Sequence, residues 1–97
     1  MSRDEVIHLL AAHRQEVADL FSVQSLALFG SVARNEAGSG SDVDVLAEFP
    51  SPPTFDQYMG LKLYLEDLLG ANVDLVTPKA LKDRVRPYVE AEAVRVP

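Results

Sequence analysis

The chain has no cysteine, so neither a disulfide framework nor a thiolate metal site is open to it. It is also short of positive charge: nine Lys and Arg stand against fifteen Asp and Glu, a formal net charge of −6. Affinity for a nucleic-acid backbone comes from clustered Lys and Arg, and this balance argues against direct nucleic-acid binding. The same balance suits metal ions or a basic protein partner. No apolar run approaches the ~18 residues that mark a membrane span. The opening MSRDEVIHLL lacks the basic-then-apolar order of a signal peptide. The resulting expectations are a cytosolic protein and no membrane attachment. Internal repeats, linkers and low-complexity segments are missing as well.

What is present is an ordinary globular composition, 47% hydrophobic and 25% charged. That is apolar enough to offset the entropy of ordering the chain, which a disordered sequence cannot do. The 97 residues predict one domain spanning 1–97. A domain this small buries a modest share of its surface, so a partner subunit would help it.

Hydrophobic spacing predicts a helix from Arg3 to Phe21, opened by a capping box between Ser2 and Glu5. SLALF, Ser25 to Phe29, reads as a short buried strand ending at Gly30, followed by one or two helical turns in VARNEA. Gly38 to Ser41 reads as a flexible loop. DVDVLAEF then alternates, with Asp42, Asp44 and Leu46 on one side and Val43, Val45, Ala47 and Phe49 on the other, hence a strand. Pro50 to Pro53 stop it, because proline has no N–H for the ladder. A second long helix starts behind a Thr54–Gln57 capping box and closes at Gly70. Asn72 to Pro78 predicts a third strand carrying Asp74, and a short helix and tail with Pro87 complete the order α-β-α-β-α-β-α. The fold class is α+β, a mixed α/β arrangement with a short mixed sheet of about three strands flanked by helices.

The chemistry concentrates in GSVARNEAGSGSDVDVL. Asp42 and Asp44 are two residues apart on one strand and therefore face the same way. Two carboxylates that close repel, and no Lys or Arg lies in the strand to pair them. A divalent cation is the natural counter-ion: Mg²⁺ takes oxygen ligands, commonly one or two carboxylates with substrate phosphates and water. Asp74 from a neighbouring strand would permit two ions ~3.5–4 Å apart, a clamp on the attacking and leaving oxygens of a phosphoryl displacement. Gly30 and Ser31, where a strand passes into a helix, offer backbone N–H groups and a hydroxyl to phosphate oxygens. The pieces together suggest a nucleoside triphosphate at Gly30–Ser31, with its metals on Asp42, Asp44 and Asp74.

Gly-Ser, ten residues, then Asp-x-Asp resembles the signature of the polymerase-β-type nucleotidyltransferase superfamily. The short chain, the later LLGANVDLVTP and the tail LKDRVRPYVEAEAVRV resemble the minimal nucleotidyltransferases (MNT) within it. That resemblance implies a small nucleotidyltransferase fold and two-metal transfer of AMP from ATP with release of pyrophosphate. It implies an antitoxin whose partner is a HEPN-domain ribonuclease toxin, silenced by AMP on a tyrosine hydroxyl. By position it gives Gly30 and Ser31 to the triphosphate, Asp42 and Asp44 to the Mg²⁺ ions, and Asp74 to the third ligand or the base.

Plainer readings stand beside these. Asp42 and Asp44 also suit the solvated face of an edge strand, Asp74 a turn, and Ser31 a helix N-cap. Arg34, one turn after Ser31, either reaches a phosphate or pairs with Glu36, Asp42 or Asp44. His8 and His13 lie away from the motif, Tyr58 reads as core, and Arg84, Arg86 and Tyr88 either meet a partner or form a solvated helix end. Two other functions fit the residues: a non-catalytic antitoxin that occludes its toxin, and a nucleotidyltransferase for a small-molecule or RNA acceptor. Larger superfamily members carry a further domain for base or acceptor, so here the acceptor must bring its own surface.

Overall fold

A computed structural model describes residues 1–38 and 40–97. Helices α1 (Arg3–Ala12) and α2 (Arg14–Phe21) lead into strand β1 (Ser25–Phe29) and a single helical turn, α3 (Gly30–Ala33). Strand β2 (Val43–Glu48), helix α4 (Phe55–Leu69) and strand β3 (Val73–Val76) follow. A 3₁₀ turn (Pro78–Ala80), helix α5 (Arg86–Glu92) and a two-residue strand β4 (Val94–Arg95) complete the order.

The expected Ser2–Glu5 box forms in both directions at 3.2 Å. The single helix expected over Arg3–Phe21 is instead divided at His13. In an unbroken helix the His13 N–H would bond to the Leu9 carbonyl, four residues back. Here the imidazole Nδ1–H takes that carbonyl at 2.9 Å, and the backbone N–H turns to Leu10. A side chain thus replaces the backbone donor, and the chain leaves helical geometry at φ −109°, ψ 9° before starting α2.

Among the described residues the sheet has four strands in the order β3-β2-β1-β4, one more than expected. The β1–β2 and β1–β4 pairs are antiparallel, and β2–β3 is parallel, so the sheet is mixed as expected. The added strand is too short to carry a periodic signal. It is held by its pairing with Ala27 and Leu28 and by Val96, which is buried and donates its N–H to the Leu26 carbonyl.

Alternation in β2 holds at Val43, Asp44 and Val45, while Leu46, on the Asp44 side, is buried too. Val43, Val45 and Ala47 are buried in a core shared with Leu28 of β1, Leu61 and Leu65 of α4, and Leu75 of β3. Truncating a leucine such as Leu61 to alanine there would cost about 2–5 kcal/mol. Two contacts fasten α4 to β3: the Tyr58 hydroxyl donates to the Leu75 carbonyl (2.6 Å), and Glu66 accepts the Val73 N–H (3.0 Å). Thr54 and Gln57 form their capping box, and Gly70 ends the helix at φ +64°. The loop read at Gly38 to Ser41 includes Ser39, which lies outside the described residues. On either side of it the Gly38 N–H bonds to Ser41 Oγ at 3.0 Å. No helix among the described residues is long and apolar enough to cross a membrane.

Candidate active site

The motif residues assemble where β1, β2 and β3 lie side by side. Antiparallel pairing sets Phe29 opposite Asp44, so the residue following Phe29, Gly30, arrives beside the Asp44 side chain. Parallel pairing sets Asp44 opposite Asp74. Asp42 directly precedes β2 and is exposed, Asp44 is half-buried, and Asp74 is exposed. Asp44 of β2 and Asp74 of β3 therefore lie side by side, with Asp42 near enough for its charge to act on Asp44, while Val43, Val45, Val73 and Leu75 are buried.

Gly30 is required for this packing on two counts. Its φ is +73°, a region that side chains rarely adopt. A Cβ there would overlap Asp44 Oδ2 and lie 2.9 Å from Asp44 Cγ. The turn from β1 into α3 thus closes directly on the carboxylate. Ser31 is the second residue of α3 and half-buried, while the N-cap position belongs to Phe29. The N-cap reading of Ser31 does not hold, and its hydroxyl is not used in capping α3.

Electrostatically the cluster is under tension. Burial pushes the Asp44 carboxyl up to about 6, and the charges of Asp74, Asp42 and Glu92 push it the same way. Like-charged carboxylates this close favour either a proton or a cation between them.

Of the carboxylates open to it by position, Arg34 pairs with Glu36 and adds one from the far end of the chain. Its Nε pairs with Glu36 at 3.3 Å and its Nη1 with Glu92 at 2.8 Å. The Glu92 hydrogen bond, then that of Glu36, raises the guanidinium pKa above its ordinary value. Glu92 was not marked by any local pattern, since it lies 62 residues beyond Gly30. Its Oε1 accepts the Gly30 N–H at 2.8 Å while its Oε2 accepts Arg34. The Gly30 bond first, and Arg34 second, hold the Glu92 carboxyl below the usual carboxylate range.

The donor set suits Mg²⁺: hard carboxylate oxygens, with no thiol in the chain and both histidines, His8 in α1 and His13 just after it, well before the motif in sequence. Among the described residues no three such side chains already enclose a metal position. Tyr58, expected in the core, is half-buried against β3, whereas Tyr88 on α5 is 76% exposed.

The nucleotidyltransferase domain family matches residues 10–96. Over 96 residues the chain is 38% identical to the protein adenylyltransferase MntA of Thermococcus cleftensis, covering 99% of this chain and 97% of that protein. A solved structure described as a minimal nucleotidyltransferase superposes with a TM-score of 0.75 and 38% identity, over 97% of this chain and 95% of that one. A chain from the complex of tri-AMPylated Shewanella oneidensis HEPN toxin with MNT antitoxin shares the fold at TM-score 0.66 and 17% identity. The match spans 93% of this chain and 71% of that one.

Proposed function

The chain belongs to the nucleotidyltransferase domain family, and from that premise we propose that it is an antitoxin adenylyltransferase. It transfers AMP from ATP to a tyrosine hydroxyl of a HEPN-domain ribonuclease toxin in the cytosol and so neutralises it, with all of residues 1–97 forming one catalytic domain. The observation that carries the reading is the placement of Asp44 between Gly30, which directly follows β1, and Asp74 of β3. Similarity to the MntA adenylyltransferase over nearly the whole of both chains supports the reaction. The fold shared with a complex of HEPN toxin and MNT antitoxin supports the partner.

In this reading the Gly30–Ser31 turn receives the triphosphate, with the Ser31 hydroxyl as donor and Arg34 at the end of the same helical turn. Asp42 and Asp44 would hold Mg²⁺, with Asp74 as the third carboxylate if two ions bind. Bound Mg²⁺ supplies positive charge to the phosphate oxygens and to the departing pyrophosphate. The acceptor hydroxyl oxygen attacks the α-phosphorus, the bond from that phosphorus to the bridging oxygen breaks, and pyrophosphate leaves with the electron pair. Asp74, exposed where Asp44 is half-buried, takes the hydroxyl proton and releases it to water. The negative net charge suits a protein acceptor that brings its own basic surface.

Intact mass of the partner toxin tests this, after incubation with the protein, ATP and Mg²⁺. A gain of one or more AMP units, absent with Asp44→Asn, is the expected result. A stable complex with no mass gain would refute catalysis and leave occlusion.

A further inference from the structure

Gly30 and Arg34 are held by a residue from the far end of the chain. Glu92 closes α5, and its single carboxylate spans the first residue of α3 and the residue that caps it, with both bonds at 2.8 Å. Bonds to an ionised carboxylate are roughly twice as strong as neutral ones. The Glu92 side chain is only 28% exposed, so solvent competes weakly for it. Its backbone is tied down close by: Val94, two residues on, pairs with Leu28, which lies two residues before Gly30.

This small closed circuit bears directly on the acids. The Gly30 backbone and the Asp44 carboxylate share a boundary with no room for a methyl group between them. The orientation of the Phe29–Gly30 peptide therefore limits where Asp44 can sit, and Ser31 follows directly on it. Glu92 holds that peptide by its N–H.

We propose that Glu92 is a positioning residue for nucleotidyl transfer, a clamp on Gly30 and Arg34 that sets Asp44 and Ser31 for the incoming triphosphate. The inference rests on the reading of this site as a nucleotidyl-transfer centre. It opposes a second role for a carboxylate on these donors, a stand-in for phosphate that nucleotide must displace. The short tether through β4 favours the clamp, and the two roles differ in sign: losing a clamp weakens nucleotide binding, whereas losing a plug tightens it.

The test compares wild type, Glu92→Gln and Glu92→Ala for binding of a non-hydrolysable ATP analogue with Mg²⁺. Thermal unfolding and the kcat and KM of AMP transfer are measured on the same samples. Glu92→Ala removes both bonds, and the expected loss of analogue affinity is about ten-fold, with kcat reduced at least as far. Glu92→Gln keeps an oxygen for the Gly30 N–H and is expected to lose only about two- to three-fold, an intermediate that marks positioning. A merely structural role would lower the melting temperature and leave kcat and KM per folded molecule unchanged, which overturns the proposal. Tighter binding in either variant also overturns it, and if Glu92→Ala does not fold, Glu92→Gln carries the comparison. Failure of wild type to bind the analogue would be a different result: it would remove the nucleotidyl-transfer reading, and the clamp with it.

Discussion

Asp44 and Asp74 stand in register across the parallel β2–β3 pair, one half-buried and the other open to solvent. Their proximity is written into the ladder and not left to flexible side chains, so neither can retreat far from the other. The fold therefore maintains a like-charge contact that costs stability in the absence of a cation. Such a cost is expected where a site must attract one.

Replacing the half-buried member should reveal that cost. Asp44→Asn keeps the size of the side chain and removes the charge that burial, Asp74 and Asp42 all disfavour. The expected outcome is a gain in apo stability of about 1 kcal/mol, after allowing for solvent screening. AMP transfer to the toxin should vanish at the same time. Urea unfolding and the transfer assay on one preparation check both halves, and a destabilised variant would show that Asp44 is better satisfied than its neighbours imply.

The pH dependence follows from the same residue. A carboxyl at about 6 in the folded protein and 3.8 when unperturbed holds its proton more firmly when folded. Between those values the contribution of Asp44 to apo stability declines as pH rises, and above about 6 the repulsion is fully felt. Metal binding needs the ionised form and runs the other way. Mg²⁺ affinity is expected to be about ten-fold weaker at pH 5 than at pH 7.5, read as a smaller rise in melting temperature on adding Mg²⁺. Equal shifts at the two pH values would remove Asp44 from the metal site.

The motif was legible because its information is local. Two-residue alternation places Asp42 and Asp44 together, and the strand-to-helix passage at Gly30 is visible in SLALFGS. Capping boxes at Ser2 and Thr54 are likewise contained within four residues, and both form. What escaped was non-local or overridden by a side chain. Glu92 looks like any helix-end acid until the fold carries it 62 residues back to Gly30. Strand β4 consists of two residues whose only instruction is the free edge of β1. The break at His13 arises from an imidazole outcompeting its own backbone N–H, which hydrophobic spacing does not register. Arg34 had candidate partners at Glu36, Asp42 and Asp44; it took Glu36 and a partner from the other end of the chain.

On the proposed mechanism, substitution of Asp74 distinguishes a proton acceptor from a metal ligand. As the acceptor of the hydroxyl proton Asp74 is expected to contribute about 10²–10⁴-fold to the transfer rate. Asp74→Asn should then lower kcat by that order while the affinity for an ATP analogue with Mg²⁺ changes little. Isothermal titration beside single-turnover transfer distinguishes the cases. A parallel loss of analogue affinity would make Asp74 chiefly a metal ligand, and unchanged transfer would remove it from the reaction.

Two glycines of one segment should respond oppositely to alanine. Among the described residues, and leaving aside its chain neighbours, none comes within 4 Å of where a Cβ on Gly38 would stand. Alanine there reduces the freedom of the unfolded chain and is expected to leave stability unchanged or raise it by up to about 1 kcal/mol. Gly30 combines φ +73° with a Cβ position that overlaps the Asp44 carboxylate. Alanine there must strain the backbone, at about 1–3 kcal/mol, and displace Asp44 as well. Gly30→Ala should therefore lower both the unfolding midpoint and AMP transfer, whereas Gly38→Ala keeps transfer intact. Denaturation curves and transfer rates for the pair provide the check. Full transfer by a folded Gly30→Ala would mean that Asp44 has room to move, and the close approach of β1 to β2 would then not be what places it.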